Sequence, residues 1–397
     1  MSLEMGIGVS SQADVFAAGQ EAAEQVVSHL ANRQPDFLMV FSSIRFADPR
    51  MLKAIRGVTG PVPLVGCTDA GGIITAGPRR RSITIIGFLC NGGSFISGVE
   101  RNLSSGPRAA GQKLVESILA KSSQPIRGFF AFPDGLSVSG SDVLSGIEAG
   151  LGPDVVLAGG MAADDLYFQK TFQFFNEEIL TDSITGVAFC GNMKVGIGNR
   201  HGWVPVGRPR RVTHSSGHIV YELDHKPAVS IYEDFLGLKR DELMQNTLAS
   251  MTLTYPLGSE MPGRSEYLLR DAIRVGRAGS LICTGDVQEG SRIRLMIGGY
   301  ESALEAAQQA ACDAKDQLGG SRIQGALLFC SVARQKMLGS EFQGEIDVIR
   351  DALGGAGVRL GGFYSYGEMA RGHNLRGAGK TKNSRFQNES VVVVALG

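Results

Sequence analysis

Short apolar runs alternate with stretches in which apolar residues recur every third or fourth position along most of this 397-residue chain. The first runs predict buried strands and the second amphipathic helices. GIGVSS reads as a strand. Residues 14–30 then carry Val15, Ala18, Ala22, Val26 and Leu30 at helical spacing, and DFLMVFSS is a second strand. A second helix is predicted over 49–56, with Asp48 as N-cap and Pro49 at its first position. A third strand ends in VPLVGCTDAGGI, and SITIIGFL from Ser82 follows it.

The same plan recurs. GSFISGV, a helix over 106–121, RGFFAFPDG, a helix over 139–150, DVVLAGGMAADD and ITGVAFCG make a second copy. SRIRLMIGG, a helix over 302–318, IQGALLFCS, a helix over 344–353, VRLGGFYSYGE and SVVVVALG make a third. Strands alternating with such helices imply crossover connections and partly parallel pairing. Residues 202–290 lie outside the repeat. RRVTHSSGHIVYELDHKPA predicts a hairpin turning at Ser216-Gly217, a short helix follows, and EYLLRDAIRVGRAGSLICTG predicts further antiparallel strands. The expected fold is α/β: internally repeated strand–helix units with mixed sheets, plus an inserted β-rich segment in the second domain. The expected domains are 1–207, with two repeats, and 208–397, with the inserted segment and the third repeat.

Glycine, at 54 residues, is nearly twice its usual share and punctuates strand ends, which points to many tight strand-to-loop turns. Lys plus Arg and Asp plus Glu are equal at 39 each, so no general electrostatic pull toward nucleic acid or anionic membrane is expected. Arg79, Arg80 and Arg81 form the one dense basic cluster, read as a solvated loop. No apolar stretch approaches the roughly 20 residues that cross a bilayer, and no signal peptide is recognised, so a cytoplasmic protein is expected. Six cysteines without a C-x-x-C pair fit buried thiols rather than disulfides or zinc.

In open α/β sheets ligands collect at the carboxyl ends of strands, which is where the repeated glycine-rich loops begin. The order VGCTDAGGI, VLAGGMAADD, VTHSSGHIVYELDHKPAVSIYEDFLG, TYPLGSE, SLICTGDVQEGSRIRL, FCSVAR and GGFYSYGE resembles the FIST (F-box and intracellular signal transduction) sensory-domain family over almost the whole chain. The resemblance implies a FIST N-terminal domain over the two early repeats and a FIST C-terminal domain from about Arg208. It implies a non-enzymatic, cytosolic small-ligand sensor of bacterial type, with an amino acid or related metabolite as ligand and a histidine kinase or other signalling protein as partner. One branch resembles nitric-oxide-sensing haemoproteins, which makes haem a possible cofactor. The chain departs from the family pattern at Gly72, where many members carry a glutamate that the third loop keeps as Glu368. It departs again at Asp224-His225, where an Asp-Gly turn is common.

The loops offer Cys67, Thr68 and Asp69 in the first copy, Met161, Asp164 and Asp165 in the second, and Phe363, Tyr364, Tyr366 and Glu368 in the third. A carboxylate beside an aromatic face suits an ammonium group. The bland alternative is that these polar side chains satisfy loop backbone. Tyr255, before Pro256, is a further wall candidate or a packed turn tyrosine. Arg334 is a candidate clamp for a carboxylate or a surface ion-pair residue. His201, beside Trp203, is the first choice among His201, His214, His218 and His225 for an axial haem ligand. No phosphate loop, H-E-x-x-H or G-x-S-x-G motif is present. Ser139 near Asp134 and Asp142 leaves an enzyme as an alternative, and a ligand-free adaptor is another. With loops this divergent on one frame, a single working pocket around the third copy is expected.

Overall fold

The computed structural model describes residues 2–237, 254–261, 267–371 and 385–397. Three units of one topology build its main body. In the first, Ser2–Ser10 pairs antiparallel with Ile83–Asn91, which pairs antiparallel with Phe37–Ser43, which runs parallel to Leu64–Asp69. The second unit repeats this order with Gly93–Arg101, Ser183–Gly191, Ile126–Pro133 and Val156–Gly160. The third does so with Val195–Arg200, Val391–Leu396, Gly325–Ser331 and Arg359–Ser365. The mixed α/β class expected from the sequence is therefore the one observed, with one correction. The third unit opens with VGIGNR at Val195–Arg200, not with SRIRLMIGG. The latter, Arg292–Gly298, pairs with Trp203–Ser216 in the sheet of the inserted segment. The chain enters the third unit, leaves through the insertion, and returns at the helix Tyr300–Asp316.

Each unit leaves the edge of its parallel strand open, and a neighbour closes it. Leu64–Asp69 takes Gln173–Phe175 from the second unit, Val156–Gly160 takes Glu368–Arg371 from the third, and Arg359–Ser365 takes Gly72–Ile74 from the first. This cyclic exchange removes three unpaired edges and locks the units together. The strands' inner faces meet in a phenylalanine-rich core containing Phe37, Phe41, Phe88, Phe130, Phe132, Phe189, Phe329 and Phe363.

Their outer faces carry helix pairs. Val15–His29 and Pro49–Thr59 cover the first unit, Pro107–Leu119 and Gly140–Gly150 the second, Tyr300–Asp316 and Gln343–Leu353 the third. The cap predicted at Asp48 is in place, its carboxylate accepting the Arg50 N–H at 2.8 Å, and Asp14 caps the first helix in the same way through the Ala17 N–H at 2.8 Å. The insertion has its own small core, with Val212, Val220, Leu223, Tyr232, Leu281 and Leu295, and its first hairpin turns after Ser216 as expected.

Candidate functional site

The three repeated loops interlock in a ring of backbone hydrogen bonds. Ala70 N–H donates to the Tyr364 carbonyl (3.0 Å) and Tyr364 N–H returns to Gly71 (2.9 Å). Met161 N–H donates to Gly367 (2.9 Å) and Tyr366 N–H to Met161 (3.3 Å). Ala163 N–H donates to Thr68 (2.9 Å) and Asp165 N–H to Asp69 (3.2 Å). The loops thus converge, and much of their polarity is spent on one another.

Strand register identifies equivalent positions. Gly72 pairs with Phe363, Gln173 with Cys67 and Glu368 with Gly160, so Gly72, Gln173 and Glu368 are counterparts. Each closing strand is preceded or begun by a buried serine, Ser82, Ser183 or Ser390. The carbonyls of these serines accept the N–H groups of Ser43, Asp134 and Ser331, each at 2.9 Å. Three equivalent frames therefore carry Gly, Gln and Glu.

In the first frame the position is closed. A Cβ on Gly72 would lie 2.0 Å from Thr84 Oγ1. In the second, Gln173 is buried and neither atom of its amide has a partner. In the third, Glu368 is held in detail. Ser365 Oγ donates to Oε1 (2.8 Å), and Ser390 donates to Oε2 through Oγ (2.9 Å) and N–H (3.2 Å). Burial pushes this carboxyl up to about 8, against those hydrogen bonds, so it is mostly protonated at neutral pH.

Glu368 has two acidic neighbours. Glu389 precedes Ser390, and Asp271 comes from the insertion. Asp271 and Glu389 are close enough to share a proton in a carboxyl–carboxyl bond, and Asp271 Oδ1 and both Glu389 oxygens receive no hydrogen bond from any donor among the described residues. Burial raises Asp271 to about 6, opposed by the bond to Glu389 and by Arg270. Burial, reinforced by Asp271, holds Glu389 well above the usual carboxyl range. The junction is tied by Thr284 Oγ1 to Asn388 Oδ1 (3.0 Å) and by Arg270 to the Phe386 carbonyl (3.1 Å). Buried carboxyls from two parts of the chain thus face one another in protonated or proton-sharing form.

The remaining candidates scatter. Phe363 is a core side chain, stacked on Phe41 at 4.3 Å, and Cys67 is buried in the same core with its thiol pushed well up by burial. Neither faces a loop cavity. Thr68 Oγ1 accepts the Phe172 N–H (3.0 Å). Asp69 accepts the Gly71 N–H with Oδ1 (3.0 Å), while its buried Oδ2 has no partner; burial and then Asp165 hold this carboxyl well above its ordinary value. Tyr364 is fully buried with its hydroxyl unpartnered. Tyr366 donates to Asp164 and stacks on Phe168 at 4.6 Å.

Tyr255 belongs to the insertion, beside Phe235, away from the loop ring. Arg334 is no surface ion-pair residue. It is fully buried, and its guanidinium holds Glu345 (2.6 Å), the His201 carbonyl and the Ala303 carbonyl (2.9 Å). The carboxylate it clamps is the protein's own. Asp271, Glu389 and Gln173 escape a reading of the sequence. The one local signal available for Glu389 is its place as the charged residue next to the closing strand that starts at Val391.

Haem requires an imidazole that lends a free nitrogen to iron. His201 Nδ1 accepts the Trp203 N–H at 3.0 Å, so its ring proton sits on Nε2, the nitrogen an axial ligand offers. Burial, then Arg334, lowers this histidine to about 4, so it stays neutral in that tautomer. His214, His218 and His225 are exposed. These residues do not fit an axial haem site. Among the described residues no group of three His, Cys, Asp or Glu side chains is placed to hold a metal ion, and no helix is long and apolar enough to cross a membrane.

Comparison with known proteins bears on the family. An uncharacterized protein of Mycobacterium tuberculosis, found in strains H37Rv and CDC 1551, is 25% identical over 392 residues, covering 94% of this chain and 96% of the relative. An uncharacterized protein of Methanocaldococcus jannaschii is 30% identical over 160 residues, 38% of this chain and 31% of that protein. Among solved structures, cyanuric acid hydrolase from A. caulinodans aligns over 99% of both chains at 9% identity and a TM-score of 0.35. A chorismatase aligns over 100% of this chain and 98% of its own at 10% identity and 0.33. Both likenesses are too remote to carry an argument. The FIST N domain matches residues 36–226 and the FIST C domain residues 228–371, together most of the molecule, and the chain belongs to the FIST family.

Proposed function

We propose that this protein, whose FIST domains are signal-transduction sensory domains, binds a small cationic or zwitterionic metabolite such as an amino acid at the junction of the third loop and the insertion. The observation that carries this reading is the meeting of Glu368, Glu389 and Asp271 there, all buried and all raised above the ordinary carboxyl range. An ammonium group arriving at such a cluster replaces a proton and relieves the cost of the buried acids. Because the cluster is covered by the insertion, the ligand must favour an arrangement in which that cover has shifted, and such a population difference is what a partner reads. A histidine kinase is the natural reader by family analogy. The function is binding without turnover.

The test is a thermal-shift screen of amino acids and related amines, followed by titration calorimetry in buffers of different ionisation enthalpy. A true ligand raises the melting temperature, is recovered unchanged by mass spectrometry, and releases up to one proton on binding at pH 7. A panel with no shift, or a ligand bound without proton release, defeats the proposal.

A further inference from the structure

In the first and third units the chain takes six positions to pass from the glycine of the parallel strand to the exchanged strand, Gly66 to Gly72 and Gly362 to Glu368. In the second unit it takes fourteen, Gly159 to Gln173. The frame does not need the extra residues, and what they build is unusual for a surface. Leu166 is 38% exposed, Tyr167 55% and Phe168 57%, and Leu136 at 40% comes from the loop that meets Tyr366. Four of the eleven exposed large hydrophobics among the described residues thus fall on this one rim. Isolated exposed apolar residues need no explanation, whereas a cluster does.

The cluster is also held rigidly. Asp165, Leu166 and Phe168 occupy the left-handed region (φ 55°, 69° and 53°), which non-glycine residues adopt only when the surroundings enforce it. The enforcing group is Asp164, buried beneath the tip. Its carboxylate accepts the N–H groups of Phe168 (2.8 Å), Gln169 (2.7 Å) and Lys170 (2.9 Å) and the Tyr366 hydroxyl. The border is basic: Lys170 and Arg81 are exposed, and Arg81 acts on Asp165, whose own carboxylate is engaged by Ser43. Arg45 lies one residue from the Ile44 backbone that also bonds Asp165.

We infer that this loop is a docking tip for a partner protein that presents apolar side chains within an acidic surface. The apolar centre supplies contact area, and the cations around it select the charge of the partner and speed its approach. The surface rests on the sensory reading for its purpose. Tyr366, which belongs to the third loop, touches the tip through Asp164 and Phe168 and so joins the docking face to the ring of loops.

The inference is tested without any small ligand, so its failure is separable from that of the ligand proposal. The full-length protein is titrated with two fluorescent helical peptides sharing one Leu/Phe stripe, one with a Glu-rich rim and one with a Lys-rich rim. The acidic peptide should bind at low salt and weaken as salt is raised. The double variant Tyr167→Ser/Phe168→Ser should weaken it at least about tenfold at an unchanged melting temperature, and Arg81→Glu/Lys170→Glu should shift the preference toward the Lys-rich peptide. Absence of binding, equal binding of both peptides, or indifference to both double variants overturns the inference. So does a concentration-dependent dimer that the Tyr167→Ser/Phe168→Ser variant abolishes, or a preference of the tip for anionic vesicles over the acidic peptide.

Discussion

Replacing Glu368 with Gln keeps the shape of the side chain and removes its titration. In the wild type the carboxyl has an ordinary value of 4.5 and is raised to about 8 in the fold. A group raised in this way contributes stability that is fully present below pH 4.5 and is lost as pH climbs to 8. At pH 7 folding must therefore take up a proton, and the interval from 4.5 to 7 costs about 3 kcal/mol at about 1.4 kcal/mol per pH unit. Gln has no such cost. Its amide oxygen takes the place of Oε2 and accepts from Ser390, while its NH2 group donates to Ser365 Oγ. The Ser365 hydroxyl already has a second acceptor in the Cys330 carbonyl at 3.4 Å. The second unit uses Gln173 at the equivalent position.

Glu368→Gln should thus be more stable than the wild type at pH 7 by up to about 3 kcal/mol, and its stability should fall less steeply between pH 5 and 8. Urea unfolding at several pH values measures this, followed by circular dichroism and by the fluorescence of Trp203, the single tryptophan, which is buried near Arg334. The midpoint should move at constant m-value. A variant less stable than the wild type at pH 7, or one with the same pH slope, refutes the protonated-carboxyl reasoning.

Gly72→Ala should destabilise by about 1–3 kcal/mol through the clash with Thr84, and adding Thr84→Ala should restore most of the loss in the same unfolding assay. Phe363→Ala should cost about 3–5 kcal/mol as a core cavity, leaving the affinity of any ligand unchanged where the protein stays folded. Glu345→Ala strands the buried Arg334 charge and should cost about 3–5 kcal/mol, whereas Glu345→Gln, which keeps an oxygen acceptor for the guanidinium and leaves its bonds to the His201 and Ala303 carbonyls in place, should cost less. Protein produced with haem supplied should stay colourless, because the His201 ring proton is on Nε2; an intense absorption band near 400 nm that His201→Ala removes would contradict that tautomer.

Much of the fold was legible because its signals are local. Asp48 and Pro49 marked a helix start through the chemistry of unsatisfied backbone N–H groups, and Ser216-Gly217 marked a hairpin through the geometry of a tight turn. The third unit was misread at its start because VGIGNR and SRIRLMIGG are equally good strands by pattern. Only their partners, Val391–Leu396 for one and Trp203–Ser216 for the other, separate them. The candidate site was less legible. Glu368 was visible from its place in a repeated phrase. Phe363 and Tyr366 are both aromatic and three positions apart, yet one faces the core and the other the loop ring, a choice made by the pleat and by which neighbour lies on each side. Arg334 is an arginine at a strand end, and nothing local says that a glutamate eleven positions later will meet it inside the protein.

By itself the sequence determined the threefold repetition, the alternation of strand and helix, the presence of an insertion and the likeness to FIST proteins, since each is written in spacing and residue type over short distances. The tertiary structure alone decided that the units trade hairpins in a cycle. That exchange makes Gly72, Gln173 and Glu368 counterparts despite unequal loop lengths, and brings Asp271 of the insertion against Glu389 of the third unit. The reason is physical. An open sheet edge and a buried charge are satisfied by whatever lies next to them in space, and for this chain those neighbours are often more than a hundred residues away in sequence.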